Sequence, residues 1–321
     1  MEQTINMVVA VYSGLTSRLR TISHAVWVIE NSDDREKKLT VLWPITNDCH
    51  INGKKVFTAD KFLGVKIKVI NYRVKPVYKP IDIRREPVRS MAHMGYNIFA
   101  DFYGILFGAL KAERLKKTRD VYDYDPPAEI GWEGKGLYDY AQSVWRKLSD
   151  RLRISTDVYI HAYCGIVMNP DIEIAALYGI DFLPQYYDCV DNILGSHNRE
   201  DLVGVHIRRT DHKRCISNSP LQLFTEKVDE LIQQNRSVCF FLATDDKKTQ
   251  EELVQKYGKR IIVQNKVWGR DSKKAMVGGI IDCLCLSKCK MVLGSDGSVF
   301  SDFAAKCGGI EMISMTKQEL L

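Results

Sequence analysis

The stretch Val203-Gly204-Val205-His206-Ile207-Arg208-Arg209-Thr210-Asp211 sets a histidine, two arginines and an acid directly after an apolar run. Such a run reads as a buried strand of a parallel sheet, so the charged cluster falls at its carboxyl end. Ligands of open α/β sheets bind at that edge. A guanidinium carries a fixed charge and a planar fork of donors, which suits two oxygens of a phosphate. The cluster therefore reads as a seat for a phosphorylated ligand. Along a continuing strand Arg208 and Arg209 point to opposite faces, which assigns Arg208 to a diphosphate and Arg209 to a structural or secondary role. A histidine such as His206 is more often a satisfied structural residue, but its place beside Arg208 raises the ligand reading.

Two further apolar runs end in polar groups: 238–243 in Thr244-Asp245-Asp246, and 290–293 in Gly294-Ser295-Asp296-Gly297-Ser298. In a parallel sheet all three ends share one edge and can converge. The second of these turns leads into a helix, and its small residues and free N–H groups suit a phosphate. The competing reading is that Asp296 or Ser298 caps the helix. Asp282 interrupts an apolar helix over 275–286, where a carboxylate needs partners. It can accept two N–H bonds from a guanine edge, although helix periodicity favours an ion pair or a solvent-facing position.

Other candidates carry less. Asp123-Tyr124-Asp125 has the D-x-D form that can hold a divalent cation under a sugar-nucleotide diphosphate, but it is a common triplet and precedes Pro126-Pro127 in a loop. No metal is assigned to it. Cys283, Cys285 and Cys289, spaced two and four apart, do not share one helix face and read as core. Gly14-Leu15-Thr16-Ser17-Arg18 follows the first apolar run without G-x-G-x-x-G spacing; Arg18 either reaches a ligand or is a solvated first-turn arginine. The basic loop 84–89 reads as solvated surface, or as a contact for an anionic acceptor or a lipid headgroup.

The elements that must position these groups alternate strand and helix. Strands are expected over 6–12, 39–43 and 158–163, with helices over 18–30, near 97–116 and over 136–152. The second half reads as strand 202–207, a helix opening at Ser219-Pro220, strand 238–243, helix 247–257 stopped by Gly258, strand 260–264, helix 272–287, strand 290–293, helix 298–307 and strand 310–313. This alternation argues for an α/β chain with parallel sheets covered on both faces. Its 321 residues suffice for two domains, with the boundary between Ala162 and Leu194 and the division drawn at 1–170 and 171–321.

A net charge of +6, from 46 basic and 40 acidic residues, is too mild to argue for nucleic acid, and no nucleic-acid signature is present. It suits an anionic small ligand and leaves room for peripheral contact with an anionic membrane. Nine scattered cysteines fit reduced, buried thiols better than a disulfide framework. The opening Met1-Glu2-Gln3-Thr4 shows no secretory leader, and no run is long enough to span a bilayer, so a cytoplasmic location is expected. Nothing in the residues sets an oligomeric state.

At these motifs the chain resembles the fucosyltransferase superfamily of the GT-B fold, which includes core α1,6-fucosyltransferase, the rhizobial nodulation fucosyltransferase and the protein O-fucosyltransferases. His206-Ile207-Arg208-Arg209-Thr210-Asp211 is similar to the family's H-x-R-R-x-D segment, and Ala243-Thr244-Asp245-Asp246 to its second strand end. Asp282-x-x-x-Leu286-Ser287 with Gly294-Ser295-x-x-Ser298-x-Phe300-Ser301 is similar to its third. Gly14 to Arg20 looks like a degraded G-x-G-N-R-L opening of related bacterial enzymes. The clear resemblance spans about 200–305, roughly a third of the chain.

The resemblance implies two Rossmann-like domains facing across a cleft and inverting transfer of fucose from GDP-fucose, or of another sugar from a similar nucleotide donor, to a glycan acceptor hydroxyl. No metal or other cofactor is implied. Arg208 would bind the β-phosphate and stabilise the leaving group, and His206 would contact the nucleotide. Asp282 would read guanine, Ser295, Ser298 and Phe300 would line the diphosphate and nucleoside, and Asp245 and Asp246 would shape the site. Gly14 and Arg18 would approach from the first domain. The core α1,6 enzyme places its proposed catalytic base, a glutamate, ten residues after the motif histidine; here that position is Ile216, which leaves Asp211 as the nearest acid. The alternatives are a glycosyltransferase with a different nucleotide donor, a metal-dependent one using Asp123 and Asp125, and a nucleotide-sugar binding protein without catalysis.

Overall fold

A computed structural model describes residues 4–46, 48–58, 65–73, 119–123, 156–162, 170–178, 180–195 and 197–317, with short pieces between 110 and 153. The chain divides into two compact units, Met1–Asn169 and Pro170–Leu321. Expectations for the basic loop 84–89, for Asp125 and for most of the helices near 97–116 and 136–152 lie outside the described residues. The side chain of Asp123 does so as well, although its backbone closes a strand.

The first unit contains β1 (Ile5–Val11), α1 (Leu15–Glu30), β2 (Lys37–Ile45), β3 (Lys66–Arg73), β4 (Asp120–Asp123) and β5 (Asp157–Ala162). The strands form one parallel sheet in the order β3-β2-β1-β5-β4. β1 is apolar at nearly every position and buried along its length, as a strand covered on both faces must be. Helix α1 starts at Leu15, three residues before the expected start. Gly14 is its N-cap in ordinary extended geometry, and the left-handed residue of the turn is Ser13, with φ 65°. The expected turn over 13–17 is thus compressed, and Thr16, Ser17 and Arg18 lie buried in the first turn of the helix.

The second unit opens with α2 (Pro170–Leu177) and α3 (Pro184–Leu194), where the sequence suggested only a boundary. Pro170 and Pro184 stand at helix starts, where the missing N–H removes no helical bond. There follow β6 (Leu202–Ile207), α4 (Lys213–Asn218), α5 (Leu221–Gln234), β7 (Cys239–Thr244), α6 (Lys247–Tyr257), β8 (Ile261–Ile262), α7 (Lys273–Ser287), β9 (Met291–Ser295), α8 (Val299–Gly308) and β10 (Glu311–Met315). No local period in the residues predicts the short α4. The N-cap of α5 is Pro220, and Ser219 does not cap it: its hydroxyl donates to the Met315 carbonyl and accepts the Asp296 N–H at 2.8 Å.

This second sheet is also parallel, in the order β10-β9-β6-β7-β8. The chain runs outward from β6 to β7 and β8, then returns to the other side of β6 for β9 and β10. The connections therefore reverse direction at β6, which puts the crevice of a doubly wound sheet at the carboxyl ends of β6 and β9. Val203, Val205, Ile207, Phe240, Leu242 and Leu293 pack with Phe224, Val228 and Leu253 from the helices into one buried cluster. Gly294 permits a close approach. A Cβ there would meet the Ser301 Oγ at 2.7 Å, so a bare backbone lets α8 close against β9. Among the described residues no helix is long and apolar enough to cross a membrane.

Candidate functional site

Three strand tips of the second sheet are tied together by hydrogen bonds. The Arg208 N–H donates to the Ser295 hydroxyl at 3.1 Å, and that hydroxyl lies 3.4 Å from the His206 carbonyl, to which it donates. Ser295 is fully buried, so it braces β6 against β9 and is not exposed to a ligand as the resemblance implied. Asp245, just past β7, accepts the Arg209 N–H at 2.7 Å, the Thr210 hydroxyl at 2.7 Å and the Thr210 N–H at 3.4 Å. Burial pushes its carboxyl up, but the bonds from Thr210 and Arg209 and the charge of Arg208 outweigh burial and hold it below the ordinary range. Asp245 thus stays ionised and fixes the chain as it leaves β6. The Arg209 side chain donates to the Ser219 carbonyl at 3.4 Å, a bracing contact in line with its expected secondary role.

Arg208 is the exception to this bracing. Its Nη2 pairs with Asp211 at 2.7 Å, while its Nε is buried with no partner among the described residues. A buried guanidinium N–H without an acceptor is costly, and an incoming oxygen would relieve it. Asp211 also pairs with Arg270 at 3.1 Å, so one half-exposed carboxylate holds two arginines. Paired in this way, Asp211 braces the two arginines. Ile216, at the glutamate position, lies on α4 and brings no proton-accepting group.

His206 is buried against the Phe300 ring, centroid to centroid 4.8 Å, with its Nδ1 3.4 Å from the Ser298 hydroxyl. Burial, then the charge of Arg208, push its pKa down to about 3, so the ring is neutral at ordinary pH. Ser298 occupies the N-cap position of α8 but makes no capping bond, because its hydroxyl is turned to His206. The first N–H groups of α8 are left without a side-chain cap, with the positive end of the helix dipole behind them.

Asp282 is 4% exposed and bonded on both oxygens, to Gln264 Nε2 and to the Lys266 ammonium. Lys266 also donates to the Thr244 carbonyl at 2.8 Å, which ties Asp282 to the tip of β7. The ion-pair reading of Asp282 is the one the geometry bears out, and a solvent-facing position is not. Burial raises its carboxyl, and Lys266 and Gln264 act against that rise.

Other expected contacts fall elsewhere. Asp246 caps α6, accepting the Thr249 N–H at 2.9 Å and the Thr249 hydroxyl at 2.6 Å; its carboxylate serves the helix and does not shape the ligand edge. Arg18 is fully buried in the first unit, donating to the carbonyls of Ser13 and Pro44 and to the Thr46 hydroxyl, 5.2 Å over the Trp43 ring. It pins the loop after β1 and offers no free fork to a ligand, nor is it the solvated alternative. Gly14 is its neighbour in that turn. Cys283, Cys285 and Cys289 are buried free thiols, as core residues should be.

Sequence reading missed Gln264, Lys266 and Arg270, all in the loop between β8 and α7. The expected strand 260–264 ends at Ile262, so Gln264 already belongs to that loop. The available signal was topological: the loop follows a parallel strand and must emerge at the same edge as Arg208.

No family model matches the sequence, and no curated protein matches it. Solved structures do. NodZ alpha-1,6-fucosyltransferase soaked with GDP-fucose is similar at TM-score 0.55 and 13% identity, over 96% of this chain and 93% of that one. Fucosyltransferase NodZ from Bradyrhizobium is similar at TM-score 0.54 and 12% identity, over 95% and 92%. POFUT1 in complex with GDP is similar at TM-score 0.51 and 10% identity, over 97% and 98%. Identity this low speaks for the fold and not for the residues of a site. The chain is an α/β protein with the fold of the GT-B fucosyltransferases.

Proposed function

We propose that this chain is an inverting glycosyltransferase that moves fucose, or a similar sugar, from a GDP-linked donor to a glycan hydroxyl without a metal ion. The observation that carries the reading is Arg208: a strand-tip guanidinium with a buried, unpartnered Nε, its backbone tied to the turn that opens α8. The fold supports it, since solved proteins of this fold carry GDP or GDP-fucose.

In the proposed reaction the acceptor oxygen attacks the anomeric carbon from the face opposite the diphosphate. The bond from that carbon to the β-phosphate oxygen breaks with its electron pair going to GDP, and the acceptor proton leaves to a base or to solvent. Positive charge develops on the sugar ring and negative charge on the diphosphate. Arg208 and the uncapped N-terminus of α8 meet the negative charge, a role that a cation fills in metal-dependent transferases. A neutral His206 adds no competing positive charge beside Arg208 and packs with Phe300 where a nucleoside would lie.

Calorimetric titration with GDP and with UDP tests the donor class, and release of GDP from GDP-fucose across an acceptor panel, with and without EDTA, tests the transfer. Tighter binding of GDP and EDTA-insensitive release are expected. Preference for UDP would overturn the donor assignment, loss of activity in EDTA would overturn metal independence, and donor binding without any release would leave a binding protein.

A further inference from the structure

Resting on the GDP reading, one residue at the sheet edge has a use beyond bracing. Lys266 is laid into a fixed place. Its stem lies against α7 at Gly278, where a Cβ would meet the Lys266 Cβ at 3.1 Å, and its ammonium is bonded to the Thr244 carbonyl and to Asp282. A third ammonium hydrogen has no oxygen acceptor among the described residues, and the Trp268 ring lies 5.1 Å away. Its side chain is 10% exposed and that of Asp282 6%. A buried ion pair of this kind seldom stabilises a fold more than an apolar pair would, so its presence at a ligand edge points to recognition. Gln264, bonded to the Gly278 carbonyl at 2.7 Å and to Asp282, fixes the carboxylate from the other side.

Asp282 takes one of these bonds on each oxygen, which leaves each oxygen a further lone pair. The guanine edge runs acceptor, donor, donor: O6, N1–H and the 2-amino group. A carboxylate accepts the two donors, and an ammonium beside it donates to O6. Uracil offers acceptor, donor, acceptor and turns its second oxygen towards the carboxylate. Adenine in the same register turns its amino group towards the ammonium. We propose that Lys266 is a base-specificity residue that donates to O6 of guanine while Asp282 accepts the adjacent N–H groups.

The test compares ligands that differ by one group on that edge. Dissociation constants of GDP, inosine diphosphate (no 2-amino group) and 6-thioguanosine diphosphate (a weakly accepting sulfur in place of O6, with N1–H and the 2-amino group kept) are measured by calorimetry for the wild type and for Lys266→Met. A charge-assisted bond to O6 makes the wild type favour GDP over the 6-thio nucleotide by about tenfold or more. In Lys266→Met that preference falls to within about threefold, while the preference for GDP over inosine diphosphate, which belongs to Asp282, persists. Ratios taken within each variant cancel a general loss of affinity. Lys266→Gln, which keeps a neutral donor, carries the same comparison with an intermediate ratio if the methionine variant does not fold. An unchanged GDP to 6-thio nucleotide ratio in the variants overturns the lysine assignment alone. A wild type that binds no guanine nucleotide, or prefers UDP, overturns the function reading together with it.

Discussion

Replacing Arg208 by alanine separates chemistry from folding. On the folding side the loss is small. Asp211 is 51% exposed and keeps its second partner, Arg270, at 3.1 Å, so no buried charge is stranded. A pair this exposed contributes about 0–1 kcal/mol, and the variant should melt within a few degrees of the wild type. On the chemical side the loss is large, because a preorganised charged donor aimed at a departing group contributes about 3–4 kcal/mol, or roughly a hundred- to a thousandfold in turnover. Arg208→Lys keeps the charge but not the fork, and with no Nε to meet an oxygen it should recover only part of that rate. The assay is single-turnover release of GDP from GDP-fucose, with melting temperature and GDP affinity measured on the same samples. Turnover at the wild-type rate in Arg208→Ala would refute the leaving-group role. A fall in stability of several kcal/mol would show that the arginine is there for the fold.

Other consequences can be checked independently of transfer. His206 has a folded pKa of about 3 against an ordinary 6.5, so between those values the unfolded chain takes a proton that the folded chain refuses. Stability contributed by the neutral ring is therefore complete above pH 6.5 and is lost as pH falls towards 3, at about 1.4 kcal/mol per pH unit. Urea unfolding at pH 7 and pH 5 should show the wild type losing about 2 kcal/mol more than His206→Gln, and equal losses would mean that the ring is not held neutral. Asp246→Ala removes the cap of α6 and should cost about 1 kcal/mol while leaving GDP affinity unchanged; weakened GDP binding would return Asp246 to the ligand site. Gly294→Ala drives a Cβ to 2.7 Å from the Ser301 Oγ and should cost about 1–3 kcal/mol by denaturant unfolding, with Ser301→Gly in the same chain recovering part of it. A neutral Gly294→Ala would show that α8 does not close on β9 as tightly as described.

The parts of the fold legible in the sequence were those with a strong local period. Strand 202–207 and helix 247–257 end where apolar run, cap and glycine say they should. Misreadings came where one residue type serves two ends. Pro170 and Pro184 break a sequence pattern and yet open helices. Asp245 and Asp246 are chemically alike, but the first ties down the Arg209 and Thr210 amides while the second caps α6. For Asp282 helix periodicity favours an ion pair or a solvent-facing position, and the ion pair is what forms; its partner, 16 residues away in a loop, has no local signal. Arg18 and Arg208 both follow an apolar strand, and their hydrogen-bond partners separate them: the first has its guanidinium enclosed by carbonyls and a hydroxyl, the second has an Nε left over among the described residues.

Most polar groups on this edge are spoken for by their neighbours: Ser295 by the Arg208 amide, Asp245 by Arg209 and Thr210, Asp211 by two arginines. A site bonded this fully holds its geometry without ligand, and under the proposed function the groups left incomplete are the ones a ligand would complete. Those are the Arg208 Nε, the uncapped first turn of α8 and the third hydrogen of Lys266. Two of these suit the anionic oxygens of a diphosphate and the third suits the carbonyl of a base, the two kinds of group that a nucleoside diphosphate offers. A ligand with only one of these groups, free phosphate or a nucleoside, would satisfy part of the edge and leave the rest unbonded, so the complete nucleotide should bind more tightly than either piece.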